Sequence, residues 1–221
     1  MIQQRFRKDY PGEFVIIESI WRDGKKEQVR EWVDNPIENQ HISGRAACIG
    51  TDVDRNLFDY SRLERHKGGL LGKKRLQTYI TGTIYKDIKA NFCVETKNEK
   101  LAEIISTGYQ VDNIVYTTAS NCIRNAGEFY LIPFNPRIDI MALPLYLAAF
   151  DGHEEVFMLG YNDRSTSDTK NWQDHVNMVI RTYPAVKFYF VNIKSTTPDL
   201  WRRNANVECM TYGQWVSYCD V

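Results

Sequence analysis

The 221-residue chain is 43% hydrophobic and 13% aromatic, and its 28 basic and 28 acidic side chains cancel. That composition excludes disorder, and zero net charge argues against a general nucleic-acid or anionic-membrane surface. No apolar run approaches about 18 residues, which excludes a membrane-spanning helix, and the opening MIQQRFRKDYPGEF has no apolar h-region, so no secretory signal is expected.

Residues 13–21 (EFVIIESIW) and 25–33 (KKEQVREWV) are rich in strand formers and flank Arg22-Asp23-Gly24. Glycine reaches positive φ at little cost, so this pattern predicts a β-hairpin, and Asn35-Pro36 ends its second strand. We assign residues 1–40 to this extension and residues 41–221 to one main domain.

From residue 45 onward, short apolar segments recur: 46–50 (AACIG), 76–80 (LQTYI), 90–96 (ANFCVET), 113–118 (NIVYTT), 128–133 (EFYLIP), 155–160 (EVFMLG) and 186–192 (VKFYFVN). Helical spacing appears between them. Residues 97–109 carry Leu101, Ile104 and Ile105 on one face, with Gly108 as a stop. Residues 138–151 (IDIMALPLYLAAFD) are apolar nearly all round and predict a buried helix, with Pro144 near its first turn or kinking it. Residues 172–183 align Trp172, Val176, Val179 and Ile180, and Pro184 closes that helix. Strands apolar on both faces, alternating with helices, predict an α/β fold. The expected architecture is a single Rossmann-like, mostly parallel sheet with helices on both faces.

Cys48, Cys93, Cys122, Cys209 and Cys219 are scattered, with no pair at C-x-x-C spacing. They read as reduced thiols of a cytoplasmic protein, Cys48 and Cys93 serving as small apolar residues within strands. His41, His66, His153 and His175 match no metal-ligand spacing, so no metal is expected, and His153-Glu154-Glu155 reads as a turn entering a strand. The motifs G-x-G-x-x-G, G-x-x-x-x-G-K-[ST] and G-x-S-x-G are missing after the first main-domain strand, which leaves dinucleotide, P-loop and serine-hydrolase readings without their required parts.

Ligands of parallel sheets bind beyond the carboxyl ends of the strands. That rule selects Gly50-Thr51-Asp52, Thr81-Gly82-Thr83, Thr96-Lys97-Asn98, residues 160–165 and residues 192–195. Gly50-Thr51-Asp52 reads either as a ligand loop or as an ordinary strand exit. Residues 55–75 hold Arg55, Arg62, Arg65, Lys67, Lys73, Lys74 and Arg75 against Asp59 and Glu64. This segment reads either as a lid over an anionic ligand or as a solvated loop. An imidazole at His175, on a helix soon after a strand exit, has the chemistry of a general base near neutral pH.

Three segments together resemble the bacterial sialyltransferases of glycosyltransferase family 42 over about residues 45–195. They are a first strand followed by FDYSRL (58–63), then ALPLYLAAFDGHEEVFMLGYND (142–163), then Asp174-His175 opening a helix before KFYFVN. Related glycosylation-associated domains of unknown function have the same form. The resemblance implies metal-independent, inverting sugar transfer from a CMP-activated donor; the expected function is transfer from a CMP- or UDP-linked nucleotide-sugar, without a separate cofactor. It implies that His175 is the base, that Gly50, Thr51 and Asp52 take the nucleotide, and that Asn162 stands where the family carries an acidic residue. Arg164 lies near the family's leaving-phosphate tyrosine; Thr81 and Gly82 join the donor site by their place at a strand end. The family's Gly-Asn-Gly-Pro-Ser loop is replaced by Ile49-Gly50-Thr51-Asp52, and its Ser-Gly by Pro136-Arg137-Ile138-Asp139. Residues KDYPGEF and NPIENQHISGRAA resemble uncharacterised proteins of large marine bacteriophages, which would put the protein in the cytoplasm of an infected host. Two other readings stay open: a non-catalytic nucleotide or small-anion binder, and a phage structural or host-interaction protein that pairs through its N-terminal ribbon.

Overall fold

The computed structural model describes residues 2–6, 13–34, 44–51, 56, 58–60, 63, 76–134, 136–162, 171–192 and 198–219. Two sheets organise them. In the first, β1 (Ile2–Phe6), β2 (Glu13–Arg22) and β3 (Lys25–Asp34) pair antiparallel in that order. The expected hairpin is present, with β1 added to it. Its turn is two residues long, Asp23 and Gly24, with φ of 51° and 73°. Positive φ at both positions matches the right-handed twist of the flanking strands.

The second sheet has eight strands, and all of its pairs are parallel. They are β4 (Arg45–Ile49), β5 (Leu76–Thr81), β6 (Phe92–Val94), β7 (Ile114–Thr117), β8 (Tyr130–Leu131), β9 (Glu155–Leu159), β10 (Lys187–Asn192) and β11 (Val207–Thr211). Their spatial order is β11-β10-β9-β4-β5-β6-β7-β8. The chain therefore moves outward from β4 through β8, returns to the other side of β4 as β9, and moves outward again. The strand order reverses between β4 and β9.

The helices are α1 (Asn98–Thr107), α2 (Tyr109–Asp112), α3 (Ala119–Arg124), α4 (Leu143–Phe150), α5 (Trp172–Thr182), α6 (Asp199–Arg202) and α7 (Tyr212–Cys219). A 3-10 turn, Gly82–Lys86, follows β5 directly. Successive strand residues feed opposite cores. Ala46, Cys48, Tyr79, Val156 and Met158 pack with α4, α5 and Trp201, whereas Ala47, Ile49, Ile80, Phe157 and Leu159 pack with Leu101, Ile104 and Trp215. Burial on both faces explains why these strands show little apolar–polar alternation.

Helix α4 begins at Leu143 rather than near residue 138, with Pro144 in its first turn where its missing N–H costs nothing. Residues 136–142 instead form a non-helical approach to α4. Gly108 caps α1 with φ 70°, and α5 ends at Thr182, before Pro184. At the amino edge of the sheet, Arg45 Nε meets Glu155 Oε2 at 2.9 Å. Tyr218 of α7 donates to Glu155 Oε1 at 2.5 Å, so that edge is closed by its own side chains.

Candidate functional site at the carboxyl edge of the sheet

Strand register determines which residues stand side by side beyond the strand ends. Ile49 is level with both Ile80 and Leu159, Val191 with Leu159, and Thr81 with Val94. Continuing one residue gives the row Asn192, Gly160, Gly50, Thr81, Val94. The next row brings Tyr161, Thr51, Gly82 and Glu95 across β9, β4, β5 and β6. Buried polar residues collect here: Thr81, Glu95, Thr117, Asn121, Asp139 and Asn192 are each at most 7% exposed. Thr81, Thr117 and Asn192 terminate strands and Glu95 follows one directly, while Asn121 lies in the first turn of α3 and Asp139 in the approach to α4.

At the reversal point the backbone of β4 presses on that of β9. Gly50 N–H donates to Leu159 O at 2.7 Å, and a Cβ on Gly50 would come within 2.4 Å of Gly160 O and 2.7 Å of Met141 Cε. Glycine at position 50 is therefore required by the protein's own packing. Gly160 leaves the strand with φ 72°.

Residues 136–142 carry side chains into this edge. Met141 N–H is fixed by Asp139 Oδ1 at 2.8 Å, and Thr51 Oγ1 donates to Met141 Sδ at 3.3 Å. Asp139 N–H in turn donates to His175 Nδ1 at 3.0 Å. His175 is half-buried in the first turn of α5. The chain of contacts His175, Asp139, Met141, Thr51 thus links α5 to the exit of β4. A neutral imidazole that accepts at Nδ1 holds its proton at Nε2 and presents N–H there. Base action at His175 requires that hydrogen bond to be given up.

Tyr161 is fully buried, and its hydroxyl has no hydrogen-bond partner among the described residues; burial, with Cys48 and Asp139 near it, pushes its pKa well above the phenol range. Thr81 is also fully buried, and its hydroxyl has no partner among the described residues. Gly82, at φ 51°, fronts Glu95, whose Oε2 would lie 3.2 Å from a Cβ there. Glu95 Oε1 accepts from Thr96 N–H at 2.7 Å and Lys97 N–H at 2.8 Å. Burial nonetheless raises the Glu95 pKa against those two donors. Asn121 Nδ2 donates to Thr96 O at 2.9 Å and to Thr117 Oγ1 at 3.0 Å, which fixes the loop that carries Glu95.

Of the residues selected from the sequence, Gly50, Thr51, Thr81, Gly82 and Asn162 all lie at strand carboxyl ends, and His175 joins them through Asp139 and Met141. Asp52, Arg164 and nearly all of the basic 55–75 segment lie outside the described residues, as do His41, His66 and residues 193–195. Asp139, Met141 and Glu95 were not selected. Asp139 falls in a stretch read as helix, and Glu95 in one read as strand. The available signal for Glu95 was a single acidic residue closing the apolar run Phe92-Cys93-Val94. Among the described residues, no three His, Cys, Asp or Glu side chains are grouped as a metal site would need, and no helix is long and apolar enough to cross a membrane.

No family model matches the sequence, and neither does any curated protein. A solved structure similar to this chain is the sialyltransferase CstII from Campylobacter jejuni, in complex with a substrate analogue, cytidine-5'-monophosphate. The two share 13% identity over 66% of this chain and 78% of that one, with a TM-score of 0.42.

Proposed function

We propose that the carboxyl edge of the sheet between β9 and β6 binds a nucleotide-sugar and that the protein is a glycosyltransferase taking a CMP- or UDP-linked donor. The observation that carries this reading is the gathering, beyond the strand ends around the point where strand order reverses, of six of the nine buried polar residues among the described ones. In parallel sheets that crevice is where a ligand's phosphate and sugar are held. His175 is the proposed catalytic residue. In the arrangement described it supplies an N–H at Nε2, suited to a phosphate oxygen; as base it would exchange its bond to Asp139 N–H for one to an acceptor hydroxyl. Gly50, Thr51, Asp52, Thr81, Gly82, Asn162 and Arg164 form the proposed donor site, and the transfer needs no metal.

A second reading, a non-catalytic nucleotide or small-anion binder, is favoured by one observation: the ring nitrogen Nδ1 of His175 is already taken by a backbone donor. The testing experiment is a thermal-shift panel of CMP, UDP, GDP, ADP, NAD and sugar-nucleotides, followed by transfer assays on His175→Ala. A ligand at 100 times its Kd should stabilise the fold by about 2.7 kcal/mol. Stabilisation by CMP or UDP, with transfer lost in His175→Ala and unaffected by a chelator, supports the transferase. Stabilisation without any transfer supports the binder. A flat panel overturns both.

A further inference from the structure

We infer that Glu95 is the residue that reads the hydroxyls of the ligand's sugar ring, an inference that rests on the nucleotide-sugar reading above. Glu95 is 3% exposed, yet only Oε1 is hydrogen bonded, to the backbone N–H groups of Thr96 and Lys97. Oε2 has no hydrogen-bond partner among the described residues. Oε2 is not one of the sealed, unsatisfied polar atoms of the described residues, so it is open to a hydrogen donor from outside the protein. Oε2 faces Gly82, where the missing side chain leaves the approach open, and any Cβ would stand 3.2 Å from it.

The position suits a sugar. Strands are spaced about 4.8 Å apart, so the end of β6 lies about 10 Å from the exit of β4, roughly the reach from a nucleotide's phosphate across its sugar. A carboxylate accepts only, so its partner must be a donor, and a pair of ring hydroxyls provides two on one face. Burial raises the Glu95 pKa, against the two backbone donors and the nearby Lys97 and Lys100 charges. The loop carrying it is anchored by Asn121 to Thr96 O and Thr117 Oγ1, so Oε2 is held before a ligand arrives. The hydroxyls belong either to the nucleotide's ribose or to the sugar it carries.

The test is calorimetric titration of wild type and Glu95→Gln with CMP and UDP, with their 2′,3′-dideoxy forms, and with CMP-N-acetylneuraminate and UDP-N-acetylglucosamine. Gln keeps an oxygen for the Thr96 and Lys97 N–H groups and replaces Oε2 with a donor. If the ribose is read, wild type prefers the ribonucleotide over the dideoxy form by about 10- to 100-fold, the worth of a hydrogen bond to a charged group, and Glu95→Gln loses that preference. If the carried sugar is read, wild type ignores the dideoxy change but binds the sugar-nucleotide more tightly than the bare nucleotide, and Glu95→Gln loses that gain. Equal preferences in wild type and variant overturn the role of Glu95 and leave the nucleotide reading standing. Failure of wild type to bind any of the six overturns both. Gly82→Ser, which pushes a side chain toward Oε2, is the second variant and should mimic the loss without altering the carboxylate.

Discussion

The backbone N–H of Asp139 donates to Nδ1 of His175 across 3.0 Å, joining the approach to α4 with the first turn of α5. This single bond fixes the ring's tautomer and holds residues 136–142 over the exit of β4. The Nε2–H tautomer is directly observable in long-range proton–nitrogen NMR spectra of the histidine side chains. His175→Ala should lose about 1 kcal/mol of stability, the usual net worth of such a bond. His175→Asn, whose side-chain oxygen can accept from the same N–H, should recover most of that stability without recovering transfer. Denaturant midpoints of the two variants, read beside their transfer rates, separate the positioning of the loop from the chemistry.

Gly50→Ala should be among the most damaging substitutions of similar size. The added methyl would meet Gly160 O at 2.4 Å and Met141 Cε at 2.7 Å. The methionine can swing aside, but the Gly160 carbonyl belongs to the exit of β9 and cannot. Relief requires β4 and β9 to separate where Gly50 N–H bonds Leu159 O at 2.7 Å. A loss of about 3 kcal/mol is expected, at the upper end of overpacking costs, read as a lowered denaturation midpoint. Nucleotide-induced stabilisation should fall with it.

The alternation of apolar segments and helical spacings in the sequence was enough to predict the parallel sheet, because most residues of β4, β5, β6, β9 and β10 are buried and these strands read as short, largely apolar segments. Elements at the margins were harder. Strand β8, Tyr130 and Leu131, falls inside the segment 128–133 although both residues are exposed, whereas β11 is half-exposed, with Glu208 among its side chains, and follows no strong pattern. Strand-end positions made Gly50, Thr51, Thr81, Gly82 and Asn162 legible, since they follow directly from where apolar runs stop. Glu95 and Asp139 were not legible, because each depends on contacts distant in sequence: Gly82 and Asn121 for one, His175 and Met141 for the other. A carboxylate ending a strand reads as solvent-exposed until its neighbours are known.

Glu95 also predicts a pH dependence. Burial raises its pKa in the folded protein above the ordinary value of 4.5. The folded state then binds a proton more readily than the unfolded chain. The stability that proton contributes is fully present below the unfolded value and is lost as pH rises through the folded one. Glu95→Gln has no such titration. Relative to the variant, wild type should therefore lose stability as pH rises from the ordinary carboxylate value of 4.5 through the higher value of the folded protein. Paired thermal melts across that range measure the sign; a wild type that gains on the variant as pH rises would contradict it.

At the opposite end of α4, Tyr79 Oη lies 2.6 Å from Asp151 Oδ2 and 3.0 Å from His153 Nε2, and all three residues are buried. The hydroxyl donates to the carboxylate, so its oxygen accepts from His153, and the turn between α4 and β9 is tied to the middle of β5. Burial, followed by the Asp151 carboxylate, pushes the Tyr79 pKa well above the phenol range, so the bridging proton stays in place through ordinary pH. Tyr79→Phe keeps the ring's packing against Phe92, whose centroid lies 4.7 Å away, and removes only the bridge. A loss of about 1–3 kcal/mol is expected, because two buried polar groups then share one partner fewer. The tie is remote from the carboxyl edge, so nucleotide-induced stabilisation should be unchanged in this variant. Measuring both quantities on one protein distinguishes a network that holds the fold from one that reaches the ligand: a weakened ligand response in Tyr79→Phe would show that the position of α4, and with it Asp139 and His175, depends on this buried bridge.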